Sequence, residues 1–211
     1  MAYNIFTALG LERKELIHSA MIVAIASYKG NEVCRDLFFE MLANKGDREK
    51  IMALKNAIIE EKYSNWINTE HKLIERVGSK VRDRGRADIW LGNKGKKPQH
   101  SYRLVIENKI YAGNQDHQLR RYFRYLTGEE RINAGLFYLC LKDDKERRAS
   151  ADKSAEIISK TETNQNPTKY NIITYQDDIT CWLNQILGLK NLDEDFRKAV
   201  QQYLAIIYKI K

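Results

Sequence analysis

The feature that most constrains this chain is a pair of acidic residues set inside two apolar segments. Asp88 lies within RADIWL and Glu107 within YRLVIENK, whose apolar residues predict two short strands. A carboxylate buried on a strand costs several kcal/mol of desolvation unless a cation neutralises it. Lys109 is two residues after Glu107, so the two side chains share one face of their strand. The segments therefore predict a cation site in which two acids and one lysine meet.

The length and composition of the chain indicate one domain without membrane segments. Its 211 residues can bury a sizeable core, and no linker divides them. No apolar run approaches the length of a membrane helix, and the charged residues 12–15 are unlike a secretory leader. We therefore expect a cytoplasmic protein with no membrane partner. Three widely spaced cysteines, an odd number, predict buried free thiols rather than disulfides or a zinc site: Cys34, Cys140 and Cys181.

The basic residues are concentrated in one part of the chain. The formal net charge is +8. Residues 72–124 contain 14 Lys and Arg against 5 Asp and Glu, whereas the rest of the chain contains 22 against 23. This excess surrounds the two strand acids, and a basic field around a cation site suits a polyanionic substrate. The alternative is a solvated basic face without a ligand.

Hydrophobic spacing divides the chain into helical ends and a middle of short strands. Asn114 is the expected cap of the central helix, a polar loop is predicted at 92–98, and 143–169 is predicted to be a mobile insertion with a helix at 152–160. The pattern predicts one α/β domain over 1–211 with a central mixed β-sheet flanked by helices: a helical region at 1–70, a core at about 71–188 and a C-terminal helix at 192–211. Helices are predicted at 12–28, 32–44, 47–68, 114–126, 177–187 and 192–210, and strands at 72–77, 86–91, 102–109, 135–141 and 170–175.

The order of these motifs resembles a known enzyme family. Asp88 at the end of one strand, ENK at 107–109 on the next and a helix carrying QLRRY at 118–122 resemble the PD-(D/E)xK nuclease superfamily. Ala87 stands where the proline of the family name would be. GRADI, LVIENKI and QLRRY are similar to a bacterial subgroup of that superfamily, and the resemblance extends from about residue 12 to 188. It implies a restriction-endonuclease-like core that hydrolyses phosphodiester bonds in DNA.

The residues of the two strands also suggest this chemistry directly. Asp88, Glu107 and the backbone carbonyl of Asn108 would offer hard oxygen ligands suited to Mg²⁺, for which Mn²⁺ could substitute. Such a cation would activate a water molecule and neutralise charge on the reacting phosphate. Lys109 would orient that water, either as a charged group or as a base with a depressed pKa. The alternative is an ordinary ion pair between Glu107 and Lys109.

Gln118 and Tyr122 lie four residues apart and so share one face of the predicted helix. The resemblance implies that Gln118 holds the attacking water or a nearby phosphate and that Tyr122 supports it. The alternative is a surface glutamine with a packing tyrosine. Five residues are predicted to contact nucleic acid: Arg86, Arg120, Arg121, Tyr122 and Arg124.

The resemblance further implies a glutamate from the first core helix as an additional metal ligand. Glu15 is the best match, and Glu60, Glu61 and Glu70 remain alternatives. His18, one turn after Glu15, could face the same site, although a lone histidine on such a helix is more often a core residue.

The function predicted from these features is that of a Mg²⁺-dependent deoxyribonuclease. One alternative is a nucleic-acid-binding protein of the same fold without turnover, and another is a structural or protein-interaction module that uses the C-terminal helix. Cleavage of both strands would favour a homodimer. Endo- or exonuclease action, and DNA or RNA as the substrate, stay open.

Overall fold

A five-stranded mixed sheet forms the centre of the protein. The computed structural model describes residues 4–11, 14–77, 80–93, 101–113, 115–127, 132–155 and 169–210. The strands lie in chain order across the sheet; the first three are antiparallel and the last three are parallel. This arrangement confirms the predicted α/β fold. The strands are β1 Ile67–Val77, β2 Lys80–Gly92, β3 Tyr102–Lys109, β4 Ile132–Cys140 and β5 Asn171–Thr174.

Helices cover both faces of the sheet. Acidic caps begin two of them, since the side chain of Asp47 accepts the N–H of Lys50 and that of Asp193 accepts the N–H of Phe196. None of the described helices is both long and apolar enough to cross a membrane. The helices are α1 Ile5–Ala8, α2 Glu15–Ala26, α3 Val33–Ala43, α4 Arg48–Glu60, α5 Gln118–Leu126, α6 Lys145–Ala155, α7 Thr180–Leu187 and α8 Glu194–Ile207, with a π-helical turn, Tyr175–Ile179, before α7.

The sheet separates two hydrophobic cores. Helices α2, α3, α4, α7 and α8 pack on one face, and α5 and α6 pack on the other. Along β3, Leu104 and Ile106 belong to the first core and Val105 to the second. Because side chains alternate along a strand, Glu107 and Lys109 follow Val105 to the α5 side.

Several predicted boundaries were wrong. The helix predicted at 47–68 ends at Glu60, because the chain turns at Lys62 with a φ of +48° and then enters β1. Helix α6 begins at Lys145 rather than at 152. Cys34, Cys140 and Cys181 are free as predicted, but Cys181 is exposed rather than buried. Asn114, most of the loop at 92–98 and residues 156–168 of the insertion lie outside the described residues.

Candidate active site

A cleft opens where β2 and β3 separate. The last pair between these strands is Ile89 with Ile106; beyond it β2 stays paired with β1, and β3 stays paired with β4. Asp88 lies at this point, and its Oδ2 accepts the backbone N–H of Asn108 at 2.7 Å. The carboxylate thus takes the place of a strand partner. The cleft has a volume of about 440 Å³ and is lined by Glu70, Lys72, Asp83, Gly85, Arg86, Asp88, Glu107, Lys109, Gln115 and Gln118.

Glu107 is the most unusual group in the cleft. It is completely buried, and its Oε1 lies 2.6 Å from Nζ of Lys109. Apart from this ion pair, neither carboxylate oxygen accepts a hydrogen bond of good geometry from the described residues. Burial, together with the nearby charge of Asp88, raises the pKa of Glu107 to about 8. Burial also raises the pKa of Asp88, although Lys109 and the amide of Asn108 oppose that rise.

Lys109 is held in its charged form by these acids. Burial acts to lower the pKa of Lys109, but Glu107, Asp88 and Glu15 more than offset it, so the pKa lies above its ordinary value. A depressed pKa, one of the two alternatives drawn from the sequence, would require a further positive charge beside the lysine. The protein groups alone favour a charged lysine that positions other groups.

The donor set in the cleft fits a hard divalent cation. Glu107 offers two buried oxygens, one of which forms the ion pair with Lys109, and Asp88 contributes a second carboxylate beside it. Within the described part of the chain, no three His, Cys, Asp or Glu side chains form a metal-binding group. A cation here would therefore need further oxygen ligands from the backbone, water or a substrate phosphate, which is common for Mg²⁺.

The side chain of Asn108 points to the opposite face of the sheet and binds α2. Its Nδ2 donates to Oγ of Ser19 at 3.0 Å and to the backbone carbonyl of Glu15 at 3.2 Å. Its Oδ1 accepts the hydroxyl of Tyr175 at 2.9 Å. With the side chain engaged in this way, the backbone carbonyl is the part of Asn108 left for the predicted ligand role.

Glu15 anchors the end of β3. Its Oε1 accepts three consecutive backbone N–H groups, those of Ile110, Tyr111 and Ala112, at 2.6–2.8 Å. The glutamate influences the pKa of Asp88 and of Lys109, yet it does not line the cleft. A metal-binding role would therefore fall to its other carboxylate oxygen.

Gln118 and Tyr122 share one face of α5 beneath the cleft. Gln118 is buried, lines the cleft, and donates through Nε2 to the hydroxyl of Tyr122 at 2.8 Å. That hydroxyl donates in turn to the backbone carbonyl of Arg86 in β2. Tyr122 is 1% exposed and supports Gln118 and β2, so little of its surface is available for the predicted direct contact with nucleic acid.

The predicted basic contacts divide into two groups. Arg86 lines the cleft and pairs through Nη1 with Glu70 at 2.8 Å. The three arginines of α5 do not line it. Arg120 is only 5% exposed, because it lies on the packed side of α5, so little of its surface is available for the predicted contact with substrate. Arg121 is held by the carbonyl of Asp116 and the side chain of Gln115, and Arg124 lies one turn further along the helix.

The sequence did not predict all the residues of the cleft. Glu70 was considered only as a rival helical acid, but it lies on β1 with a φ of +53°, a conformation rare for residues other than glycine. Lys72, Asp83 and Gln115 were not anticipated, and polar residues between motifs carry no local signal for them. Two other residues considered from the sequence lie elsewhere. Oε1 of Glu61 accepts a hydrogen bond from Nδ2 of Asn93 at 2.9 Å, and His18 is buried against Tyr203.

Comparison with known proteins identifies the family of the chain. No curated protein and no solved structure matches the chain. A family profile described as the PD-(D/E)XK nuclease superfamily matches residues 3–205, nearly the whole sequence. The chain therefore belongs to the PD-(D/E)XK nuclease superfamily.

Proposed function

We propose that this protein is a Mg²⁺-dependent nuclease that hydrolyses phosphodiester bonds in DNA, with Mn²⁺ able to substitute. Membership in the superfamily implies a phosphodiester hydrolase, and such nucleases generally use divalent metals. The observation that carries the proposal is the fully buried carboxylate of Glu107, which forms an ion pair with Lys109 and lies beside Asp88 in an open cleft. Such a group is costly to the fold, so a role in binding explains its presence.

Three groups would hold the cation: Asp88, Glu107 and the backbone carbonyl of Asn108. Glu15 would add its second carboxylate oxygen, directly or through water. When bound, the cation supplies an activated water and neutralises charge on the phosphate.

Lys109 and Gln118 would position the reacting groups. The ammonium of Lys109 points toward the two acids and lines the cleft, so it can hold the attacking water and stabilise negative charge on the phosphate. The carboxamide of Gln118 can hydrogen-bond the same water or a phosphate oxygen. Tyr122 keeps that carboxamide in place through its hydroxyl. In these roles Lys109 and Gln118 are catalytic residues, and Tyr122 is a positioning residue.

Basic side chains around the cleft would bind the substrate backbone. Arg86 and Lys72 line the cleft, and Arg121 and Arg124 lie on the helix beneath it. A phosphate could displace Glu70 from its exposed pair with Arg86, since such surface pairs contribute little stability. A homodimer in the cytoplasm, with one cleft for each strand, would suit cleavage of a duplex.

Cleavage assays on several nucleic acids test this proposal. Linear, circular and single-stranded DNA, and an RNA of the same sequence, would be incubated in Mg²⁺ or Mn²⁺ with wild type, Asp88→Asn and Lys109→Ala. We expect cation-dependent cutting of DNA that both substitutions abolish. Salt-sensitive DNA binding without any cutting would instead favour the non-catalytic alternative. An affinity for DNA that does not change with salt concentration would contradict both nucleic-acid functions and leave the structural or protein-interaction module.

A further inference from the structure

The first two strands form an arm that extends beyond the sheet. Only residues 89–92 of β2 pair with β3, whereas β1 and β2 remain paired as far as Val77 with Lys80. Among the described strands, the segment from Lys80 to Ala87 therefore has β1 as its one neighbour. With about six residues on each side and roughly 3.3 Å per residue, the arm is roughly 20 Å long. It is a two-stranded ribbon at one wall of the cleft.

The root of this arm is fixed relative to the cleft. Tyr122 of α5 donates its hydroxyl to the carbonyl of Arg86, and Gly85, with a φ of +107°, lies against the ring of Tyr122. The register between β1 and β2 shifts between Lys72 and Ile74. Whatever the arm binds is thereby held at a defined position relative to Asp88.

The arm has a strong excess of positive charge. Residues 72–87 contain six Lys and Arg against two Asp and Glu, which is half of the net charge of the whole protein. Charged residues, lysine in particular, protect an exposed strand edge from pairing with other chains. The position of this excess beside the cleft also suits the binding of a polyanion.

We infer that the β1–β2 arm is a binding element for duplex DNA, inserted in the major groove so that the backbone of the duplex reaches the cleft. The inference rests on the proposed function and names its substrate as duplex DNA. The major groove of B-form DNA accepts a two-stranded β-ribbon, whereas the major groove of an RNA duplex is too deep and narrow. The arm would therefore also select DNA over RNA.

Two variants with equal reductions in charge test the arm. The arm variant combines Arg76→Gln, Lys80→Gln and Arg82→Gln, which are distant in the strand register from Asp88. The control combines Lys190→Gln, Lys198→Gln and Lys209→Gln, which are exposed at the other end of the chain. Thermal melting checks that both variants fold. The affinity of each full-length protein for a 20-base-pair DNA duplex and for the same RNA duplex is measured in Ca²⁺ over a range of salt concentrations.

We expect the arm variant to bind the DNA duplex at least tenfold more weakly than the control. Its plot of log affinity against log salt should be shallower by about 0.9 for each phosphate that the arm no longer neutralises. Equal affinities of the arm and control variants would overturn the inference, as would equal weakening on DNA and RNA. If the wild type cuts DNA but the arm variant binds DNA as tightly as the control does, the proposed role of the arm is wrong and the nuclease function stands. If binding depends on the arm but the wild type does not cut DNA, the DNA-binding role of the arm stands and the proposed nuclease function is wrong.

Discussion

At the scale of single residues, the side chains of the cleft together carry more negative than positive charge. Asp88, Glu107 and Glu15 all act on Lys109, and the lysine forms its ion pair with Glu107. The buried carboxylate of Glu107 therefore opposes folding when no metal ion is bound in the cleft. Under the proposed function, cation binding and stability are in conflict at this position, as is common in active sites.

Glu107→Gln should stabilise the cation-free protein. In a chelator at pH 8, we expect the free energy of unfolding to rise by about 1 to 2 kcal/mol, because one buried charge disappears while Lys109 keeps Asp88 as a partner. Lys109→Gln is the matched opposite, and it should lower that free energy by about 2 to 4 kcal/mol because the two acids lose their cation. Urea titration of both variants measures these changes. A destabilised Glu107→Gln protein would show that Glu107 is a structural partner of Lys109.

His71 should make stability depend on pH. Its ring stacks on Trp90 with centroids 4.3 Å apart, and burial together with Arg103 lowers its pKa. The unfolded state therefore binds the proton more readily, so stability is full above the ordinary histidine pKa of about 6.5 and falls as the pH drops below it. Unfolding in urea from pH 8 to pH 5 measures the decrease. In His71→Phe, which preserves the stack, this part of the pH dependence should vanish, and an unchanged pH profile would contradict the assignment.

At the scale of secondary structure elements, the beginning of α2 fixes the end of β3. Glu15→Ala should lower the free energy of unfolding by about 2 to 4 kcal/mol, since three backbone N–H groups lose a charged acceptor. Glu15→Gln retains an acceptor oxygen and should cost about 1 kcal/mol at most. If Glu15 also helps to hold the cation, Glu15→Gln should raise the Mg²⁺ concentration needed for half-maximal cleavage. An unchanged Mg²⁺ requirement would limit Glu15 to its structural role.

The elements that the sequence predicted are those with a buried face. RADIWL and YRLVIENK contain alternating or consecutive apolar residues because these segments cross the sheet. Both strands and their acids could therefore be located from the sequence. The arm was missed because the segment of β2 from Lys80 to Arg86 consists mostly of charged residues and so has no hydrophobic pattern. The end of the helix predicted at 47–68 was misplaced for a related reason: Trp66 and Ile67 continue its apolar spacing, although Trp66 directly precedes β1 and Ile67 begins it.

The residues of the candidate site differ in the same way: local spacing predicted the positions of some, whereas the positions of others depend on the folded chain. Gln118 and Tyr122 were paired correctly on one helix face, since their separation determines their geometry. The orientation of Arg120 depends on how α5 packs against the sheet, which local spacing does not encode. The position of Glu70 beside Asp88 depends on strand pairing and on a positive φ, and these too are properties of the folded chain.

At the scale of the whole molecule, one sheet joins the two cores. Trp66 and Trp182 lie in the core beneath α3 and α7, and Trp90 lies in the other core. Because β2 and β3 contribute to both, the cores should unfold together. Tryptophan fluorescence and far-ultraviolet circular dichroism should give coincident urea transitions, in agreement with the predicted single domain. Separated transitions would indicate two independent units.

Cleavage of an end-labelled linear DNA duplex by excess protein in a single turnover tests the central claim most directly. Wild type would be compared with Asp88→Asn in Mg²⁺, with duplex binding measured for both. The proposed site predicts metal-dependent cutting by the wild type and cutting at least a hundredfold slower by Asp88→Asn with binding retained. Equal cutting by both proteins, or none by a wild type that binds the duplex in Mg²⁺, would contradict the assignment of this cleft as a nuclease centre.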